Sequence, residues 1–118
     1  MNILYVDDEV DLLELAKTFF EDEGLSLETS ADFTEALNLI RSKKFNLIIA
    51  DVRMPTGTGI ELVHIARSED KFDGKFILVS GDLKSHAEIK KAGVDLMMTK
   101  PLNFIDLAEA AKKLLQNQ

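Results

Sequence analysis

Short apolar runs alternate along the chain with stretches whose apolar residues recur every three or four positions. The runs at 3–6, 47–50 and 76–79 are continuously apolar, which is typical of strands buried on both faces. The segment 25–29 alternates between apolar and polar residues and predicts an exposed or edge strand, and 94–98 predicts a fifth strand. The pattern therefore predicts five strands.

A helical pattern follows each of these strands. Apolar residues between 10 and 20 fall on one helical face, and Gly24 is expected to end that helix. Gly93 is expected to end the fourth helix in the same way. The same spacing predicts the other four helices at 31–41, 60–66, 85–92 and 104–115. The chain is thus predicted to consist of five βα units.

Buried parallel strands that are covered by helices on both sides define an α/β fold with a doubly wound, five-stranded parallel sheet. In such sheets, ligands bind outside the carboxyl ends of the strands, near the point where the winding reverses. Pro55, Gly57 and Gly59 lie in a loop that follows the third strand. Polar residues at the strand ends are therefore the first candidates for a functional site.

Composition limits the classes of protein that the chain can belong to. Its 118 residues fit one domain, predicted to span 1–118, and the balance of 46% hydrophobic and 30% charged residues is that of a folded protein. The chain has no Cys, which excludes a disulfide scaffold, a thiolate zinc site and thiol catalysis. A single globular domain is expected.

Charge and hydropathy indicate where this domain acts. The 14 Lys and Arg residues against 21 Asp and Glu residues give a net charge of −7, which repels nucleic acids and anionic membrane surfaces. The chain has no basic, apolar leader and no apolar stretch near the roughly 18 residues of a membrane span. We expect a cytoplasmic domain that binds neither nucleic acid nor membrane directly.

Chemically active residues stand at the ends of four strands. Asp7 and Asp8 follow the first strand, Asp51 the third, Ser80 the fourth and Lys100 the fifth. Because these ends meet at one edge, the side chains are predicted to converge. Two carboxylates 4 Å apart repel by about 1 kcal/mol in water and about 4 kcal/mol at an effective dielectric of 20. A cation is needed there, and Mg²⁺ prefers such oxygen ligands.

Each of these residues also has an ordinary structural explanation. An Asp pair before a helix is usually an N-cap with an acidic first turn, and Ser80 could cap the helix that follows it. Asp51 could begin a turn, and Lys100 could be a solvated lysine. Their joint placement at successive strand ends favours a ligand site over four separate coincidences.

The segments 3–9, 51–59, 79–81 and 99–101 carry a resemblance that covers essentially the whole chain. They read ILYVDDE, DVRMPTGTG, VSG and TKP. This combination resembles the receiver (CheY-like) domains of two-component response regulators. The resemblance implies a flavodoxin-like (βα)5 fold with strand order 2-1-3-4-5, and a role in phosphorelay signal transduction.

The resemblance also implies a role for each acidic residue. Asp51 would accept a phosphoryl group from the phosphohistidine of a sensor histidine kinase or a histidine phosphotransferase, forming an aspartyl phosphate. Asp8, Asp51 and the backbone carbonyl of Arg53 would ligate Mg²⁺, and Asp7 would contribute through a metal-bound water. The chain would catalyse only its own phosphorylation and slow dephosphorylation, so it would not be an enzyme in the ordinary sense.

Two further residues complete the site that the resemblance implies. Lys100 would pair with Asp51 at rest and with the phosphoryl group afterwards, and Ser80 would move inward to donate its hydroxyl to that group. Such a movement would change a distant, partner-binding surface. The family also has a cis peptide at the position of Lys100-Pro101, where the general base rate of about 5–6% for cis bonds before proline would predict trans.

Three positions differ from the commonest family pattern. Met97 stands where many receivers have an aromatic residue that moves with the hydroxyl residue, so we expect a looser switch. Gly81 replaces a small alanine and is expected to increase access for water. Arg53 places a long cation at the mouth of the site and is predicted to alter the lifetime of the phosphorylated state.

Other residues have simpler assignments. His64 and His86 lack a neighbouring ligand at metal spacing and are predicted to lie at the surface or its boundary. By resemblance, the output surface comprises the fourth helix, fifth strand and fifth helix. This surface is expected to carry a local positive charge from Lys84, Lys90, Lys91, Lys112 and Lys113.

Two competing functions remain open at this level. A phosphohydrolase resembling the haloacid dehalogenases would need a second Asp two residues after Asp51, where this chain has Arg53, and a cap that it lacks. A pseudo-receiver would bind a partner without phosphorylation, with Met97 and Gly81 as its only support. The chain is either a free-standing receiver or part of a longer protein with a fused output domain, and its output partner is not determined by the sequence.

Overall fold

The computed structural model describes residues 2–82 and 86–116. In chain order, the strands are β1 (Asn2–Val6), β2 (Ser26–Ser30), β3 (Leu47–Asp51), β4 (Arg53–Met54), β5 (Gly57–Thr58), β6 (Lys75–Ser80) and β7 (Leu96–Thr99). The helices are α1 (Val10–Asp22), α2 (Phe33–Ser42), α3 (Gly59–Ser68), α4 (His86–Lys91) and α5 (Phe104–Gln116).

One parallel sheet contains the five long strands in the spatial order β2-β1-β3-β6-β7. Counting only these strands, the order is 2-1-3-4-5, which confirms the predicted doubly wound topology. The segment predicted to be an edge strand pairs only with β1. The winding reverses between β1 and β3, so the crevice outside their carboxyl ends is the expected ligand site.

Two apolar cores cover the two faces of this sheet, because successive strand residues point to opposite sides. Ile3, Tyr5 and Ile49 pack with α1 and α5 on one face. Leu4 and Val6 belong to the other core, together with buried residues of α2, α3 and α4. The helical spacing in the sequence therefore corresponds to the faces that the helices bury.

Several predicted boundaries shift by one or two residues, as is usual where helices and strands fray. The second strand occupies Ser26–Ser30 rather than 25–29, and the fifth occupies Leu96–Thr99 rather than 94–98. Gly24 and Gly93 have φ values of +79° and +76° just beyond α1 and α4, which confirms their helix-ending role. The predicted start of the fourth helix at Ser85 lies outside the described residues.

The loop after β3 contains a small hairpin that the sequence did not predict. β4 and β5 pair antiparallel, with Arg53 opposite Thr58. Thr58 then caps α3, since its side chain accepts from the Glu61 backbone N–H and the Glu61 carboxylate accepts from the Thr58 N–H. A Cβ at Gly59 would lie 2.6 Å from the Asp51 carbonyl oxygen. The first position of α3 therefore needs glycine, because a side chain there would keep α3 from packing against the end of β3.

Candidate functional site

Three carboxylates converge at the carboxyl edge of the sheet. One oxygen from each of Asp7, Asp8 and Asp51 lies within 4.8 Å of the others. Asp7 and Asp51 are buried, whereas Asp8 is exposed. The predicted convergence of these side chains is therefore present in the structure, and the cluster is open to solvent on the side of Asp8.

Asp7 is fixed by the backbone around it rather than serving as a helix cap. Its N–H donates to the Ser30 carbonyl at 3.0 Å, and its Oδ1 accepts from the Glu9 N–H at 2.9 Å. Glu9 is the N-cap residue of α1, and its side chain makes no capping hydrogen bond. The ordinary N-cap explanation for Asp7 and Asp8 is therefore wrong, and both carboxylates remain available at the strand end.

Asp51 occupies the last position of β3 and has a partner on each carboxylate oxygen. Its Oδ1 accepts from the Arg53 N–H at 3.1 Å, and its Oδ2 accepts from Lys100 Nζ at 2.8 Å. Strand alternation places Asp51 on the same face as Ile49, toward α1 and α5. The carboxylate is thus held in one orientation between the strand end and a fixed cation.

Lys100 is a half-buried cationic partner of the carboxylates rather than a solvated lysine. Besides its bond to Asp51, Nζ lies 3.4 Å from Asp7 Oδ2 and 3.5 Å from Glu9 Oε1. Its backbone N–H donates to the Ser80 carbonyl at 3.0 Å, and the Lys100-Pro101 peptide is cis, as the family resemblance predicted. One ammonium group therefore faces three carboxylates.

The pKa shifts at this edge arise from burial and from the charges of the cluster. Burial raises the pKa of Asp7, although the Glu9 N–H and Lys100 oppose the shift. Burial lowers the pKa of Lys100, but its hydrogen bond to Asp51 and the charges of the neighbouring carboxylates outweigh burial, so the net shift of the Lys100 pKa is upward. Burial, and then the charges of Asp7 and Asp51, raise the pKa of Tyr5. Lys100 therefore stays protonated beside the carboxylates.

The donor set fits a hard divalent cation. Asp7 Oδ2 is buried and has no hydrogen bond from any described residue, although Lys100 Nζ lies 3.4 Å from it. A buried, charged oxygen without a hydrogen bond is costly, and a cation with its water shell would satisfy it. Within the described part of the chain, no histidine joins the cluster. Carboxylates, a carbonyl and water are the ligands that Mg²⁺ prefers.

Ser80 and Arg53 both bind Asp82, a residue that the sequence analysis did not single out. Ser80 Oγ donates to the Asp82 carbonyl and accepts from the Asp82 N–H, both at 3.0 Å. Arg53 Nη2 forms an ion pair with Asp82 Oδ2. The two groups predicted to reach the phosphoryl site are therefore both held by the loop after β6. The only local sequence signal for this turn is the S-x-D spacing of Ser80 and Asp82.

The remaining predicted positions lie around this centre. Gly81 and Lys100 line a cleft of about 480 Å³ together with Glu9, Leu12, Pro101 and Leu102. Met97 is half-buried against the core on the α2 and α3 side of the sheet. His64 is exposed and His86 is half-buried, as predicted, and the buried Nε2 atom of His86 has no hydrogen-bond partner in 2–82 or 86–116.

The predicted basic output surface is only partly present. Lys90 and Lys91 are exposed at the end of α4, and Lys113 is exposed on α5. Lys112 instead pairs with Glu23, just beyond α1, at 3.0 Å. Lys84 lies outside the described residues. Asp95, Asp106 and Glu109 line a cleft with Lys113, so acidic groups accompany the lysines on this side.

A doubly wound sheet with an acidic cluster and a half-buried lysine at its carboxyl edge is the arrangement that the sequence predicted for a phosphoryl-accepting signalling domain. The family model for the response regulator receiver domain matches residues 3–112. The chain belongs to this family.

Solved structures with the same fold include several receiver domains. The receiver domain of the Francisella response regulator 1452 matches with a TM-score of 0.90 and 29% identity, over 98% of this chain and 97% of that one. A CheY-like receiver domain protein from Methanospirillum hungatei matches with a TM-score of 0.90 and 34% identity, over 98% and 94%. The response regulator TrrA from Thermotoga maritima, solved in complex with Mg²⁺-BeF, has a TM-score of 0.85 and 34% identity, over 96% and 97%.

Curated relatives are longer than this chain. The regulatory protein VanRc of Enterococcus gallinarum is 28% identical over 97% of this chain and 49% of its own length. The response regulator SaeR of Staphylococcus aureus is 29% identical over 97% and 50%. The chain therefore spans about half the length of these relatives. Among the described residues, no helix is both long and apolar enough to cross a membrane.

Proposed function

We propose that this receiver domain accepts a phosphoryl group on Asp51 in the presence of Mg²⁺. The observation that carries the proposal is the position of the Asp51 carboxylate, which lies within 4.8 Å of oxygens from Asp7 and Asp8 and accepts a hydrogen bond from Lys100. Asp51 accepts from the Arg53 N–H at 3.1 Å and from Lys100 Nζ at 2.8 Å. Asp7 Oδ2 lies farther from this ammonium group, at 3.4 Å. It is therefore both oriented and paired with a cation.

Transfer follows from this arrangement. An Asp51 oxygen attacks phosphorus, the N–P bond of the donor phosphohistidine breaks, and its electron pair returns to the imidazole, which leaves an acyl phosphate on Asp51. Lys100, freed from the carboxylate oxygen, pairs with an oxygen of the phosphoryl group. The positive charge of Lys100 therefore stays next to the phosphoryl group, whose oxygens carry the negative charge.

Mg²⁺, when bound, neutralises phosphoryl oxygens and helps to place the donor and acceptor in line. Asp8, Asp51 and the carbonyl of Arg53 are the proposed ligands, and Asp7 contributes through a metal-bound water. Asp8 is exposed and can exchange water for metal, whereas buried Asp7 supplies fixed charge behind it. The TrrA complex with Mg²⁺-BeF supports this assignment by similarity.

Ser80 links the site to a surface change. Its hydroxyl now binds Asp82 and would have to rotate and move to reach a phosphoryl group on Asp51. That movement shifts the loop that leads to α4 and so changes the surface formed by α4, β7 and α5. Met97, next to this surface, is flexible and supports a looser coupling than a hydroxyl-bearing aromatic residue would.

The test is phosphorylation by a small acyl-phosphate donor with Mg²⁺, followed by intact mass measurement. The parent protein is expected to gain one phosphoryl group, and Asp51→Asn is expected to gain none. Asp73→Asn is the matched control, since Asp73 is exposed and precedes β6 at the opposite end of the sheet. A mass gain that survives in Asp51→Asn would refute the assignment of the acceptor.

A parent protein that gains no phosphoryl group would favour the pseudo-receiver, which binds a partner without phosphorylation. The donor in the cell is proposed to be a sensor histidine kinase or a histidine phosphotransferase. The output is proposed to pass to a separate partner or a fused output domain, since the curated relatives extend well beyond the length of this chain. Single-domain organisation over 1–118, a cytoplasmic location and catalysis limited to its own aspartyl phosphate stay predictions.

A further inference from the structure

Asp82 connects two parts of the site that belong to different strand ends. Its carboxylate pairs with Arg53, two residues after Asp51, and its backbone N–H and carbonyl bind the Ser80 hydroxyl. Ser80 is 2% exposed and uses its hydroxyl both as donor and as acceptor in these contacts. Asp82 therefore holds, at rest, two groups that could otherwise donate to a phosphoryl group.

The ion pair between Arg53 and Asp82 is weaker than a contact between Arg53 and a phosphoryl group would be. The Arg53 side chain is 73% exposed and that of Asp82 is 26% exposed, so their ion pair is a weak one that solvent screens. A phosphoryl group carries more charge than a carboxylate and offers more acceptor oxygens, which a guanidinium can bind in a bidentate way. A phosphoryl group on Asp51 would therefore compete with the Asp82 carboxylate for Arg53, and Arg53 would divide its time between the two partners.

Movement of Ser80 favours the same exchange. When its hydroxyl leaves the N–H and carbonyl of Asp82, the turn that positions the Asp82 carboxylate is no longer fixed. Loss of that turn weakens the ion pair with Arg53. The two releases are thus coupled through one residue.

We propose that Asp82 is a positioning residue that holds the Arg53 guanidinium away from Asp51 at rest and yields it to the phosphoryl group after phosphorylation. Arg53 then covers the mouth of the site and restricts the approach of water. This inference rests on the proposed function of Asp51. Through its contact with Arg53, Asp82 thus influences the lifetime of the phosphorylated state.

The experiment is a double-mutant cycle on the rate of dephosphorylation, with Asp82→Asn, Arg53→Asn and the double variant. Asp82→Asn keeps the backbone contacts to Ser80 but removes the charge that holds Arg53. It is expected to lengthen the phosphorylated lifetime about threefold, which reflects an exposed pair of modest strength. Asp82→Asn in the Arg53→Asn background is expected to leave the lifetime unchanged. Asp82→Glu keeps the carboxylate and is expected to stay close to the parent protein.

The outcomes separate this inference from the proposed function. Equal effects of Asp82→Asn in both backgrounds would mean a merely structural role, and no effect in the parent background would mean that the ion pair is irrelevant; either result overturns the inference while Asp51 phosphorylation stands. A parent protein without any phosphoryl gain overturns the proposed function and this inference with it. A circular dichroism spectrum and an unfolding curve for each variant identify any that fail to fold.

Discussion

Lys100 Nζ donates a 2.8 Å hydrogen bond to Asp51 Oδ2 across the end of β6. In the sheet, β6 lies between β3, which ends at Asp51, and β7, which precedes Lys100. The same strand ends in Ser80, whose carbonyl accepts from the Lys100 N–H. The lysine thus joins three strand ends through one side chain and one backbone contact. Loss of this cation would leave Asp51 and Asp7 without their nearest positive charge.

Replacement of Lys100 is expected to destabilise the metal-free protein. Lys100→Met removes the charge but keeps the length of the side chain, so Asp51 and Asp7 become buried carboxylates without a cation. Because the site is partly open, we expect a loss of about 1–3 kcal/mol in the free energy of unfolding, which is below the cost of breaking a fully buried pair. Urea unfolding in the presence of a chelator measures it.

Lys112→Met is the matched control for that measurement. Lys112 pairs with Glu23 at 3.0 Å, and the two side chains are 40% and 44% exposed, against 25% for Lys100. Such a pair contributes about 0–1 kcal/mol, so its loss should be small. Equal losses of stability in Lys100→Met and Lys112→Met would contradict the importance of the half-buried Lys100 cation.

Addition of Mg²⁺ is expected to stabilise the folded protein, because the cation binds the acidic cluster only when the strand ends are assembled. At a concentration about 100 times the dissociation constant, the gain is about 2.7 kcal/mol. Tyr5 is the only Tyr in a chain without Trp, and it lies in the core beneath the cluster. Its fluorescence is therefore expected to change as Mg²⁺ saturates the site.

Asp8→Asn should weaken both responses to Mg²⁺, whereas Asp73→Asn should leave them intact. Asp8 contributes an oxygen to the cluster, and Asp73 is exposed elsewhere. A Mg²⁺ response that is identical in the two variants would show that the ion binds outside the predicted site.

The pH dependence of stability is expected to reveal the cost of ionising Asp7. Burial raises the pKa of Asp7 in the folded protein, so the stability that Asp7 contributes is present below its ordinary pKa and is lost as the pH rises through the folded value. Asp7→Asn removes that loss. In metal-free buffer, the variant should therefore gain stability over the parent as the pH rises from about 4 toward 7.

Urea unfolding at several pH values with a chelator measures this difference, and added Mg²⁺ should reverse it, because the cation favours the ionised Asp7. A parent protein that becomes more stable than Asp7→Asn as the pH rises without metal would contradict the prediction.

Most of the fold was predictable from the sequence, because a strand that is buried on both faces is continuously apolar. The continuous apolar runs became β1, β3 and β6, and both sheet faces are covered by helices. The hairpin of β4 and β5 shows no recognisable apolar pattern, since each strand has only two residues. It depends on contact with α2, where a Cβ at Gly57 would lie 2.6 Å from the ring of Phe33. That contact joins positions 24 residues apart, which no local pattern reports.

The convergence of the site was predictable, but the partners of its side chains were not. Asp7, Asp8 and Asp51 follow strands, and topology alone brings strand ends together. The role of Asp82 depends on two neighbouring loops, because its partners are Ser80 and Arg53. A polar residue in a loop is too common for its sequence position to reveal such contacts.

Arg53→Asn is expected to shorten the lifetime of the phosphorylated protein. The guanidinium sits at the mouth of the site, paired with Asp82, and its removal opens the approach to water and takes away a partner for the phosphoryl oxygens. We expect a change of about three- to tenfold, the scale of about 1 kcal/mol. Loss of radiolabelled phosphate over time measures it, and an unchanged rate would refute the role of Arg53.

Gly81→Ala tests whether the missing methyl group sets water access. Among the residues that the structure describes, a Cβ at Gly81 would meet only Lys100 Cβ, at 3.8 Å, so the methyl group displaces none of them. It would narrow the cleft that Gly81 lines beside Lys100. We therefore expect slower dephosphorylation, together with a gain of about 0.4–1 kcal/mol in stability, because alanine restricts the unfolded chain.

Gly24→Ala separates the two effects of that substitution. No described residue lies within 4 Å of a Cβ at Gly24, but its φ is +79°. Gly24 lies at the other end of the sheet, so alanine there is strained and remote from the site. It should lower stability and leave the dephosphorylation rate alone. If Gly81→Ala is as stable as expected but loses phosphate as fast as the parent, water does not enter past Gly81, and the short side chain at this position has no part in the phosphorylated lifetime.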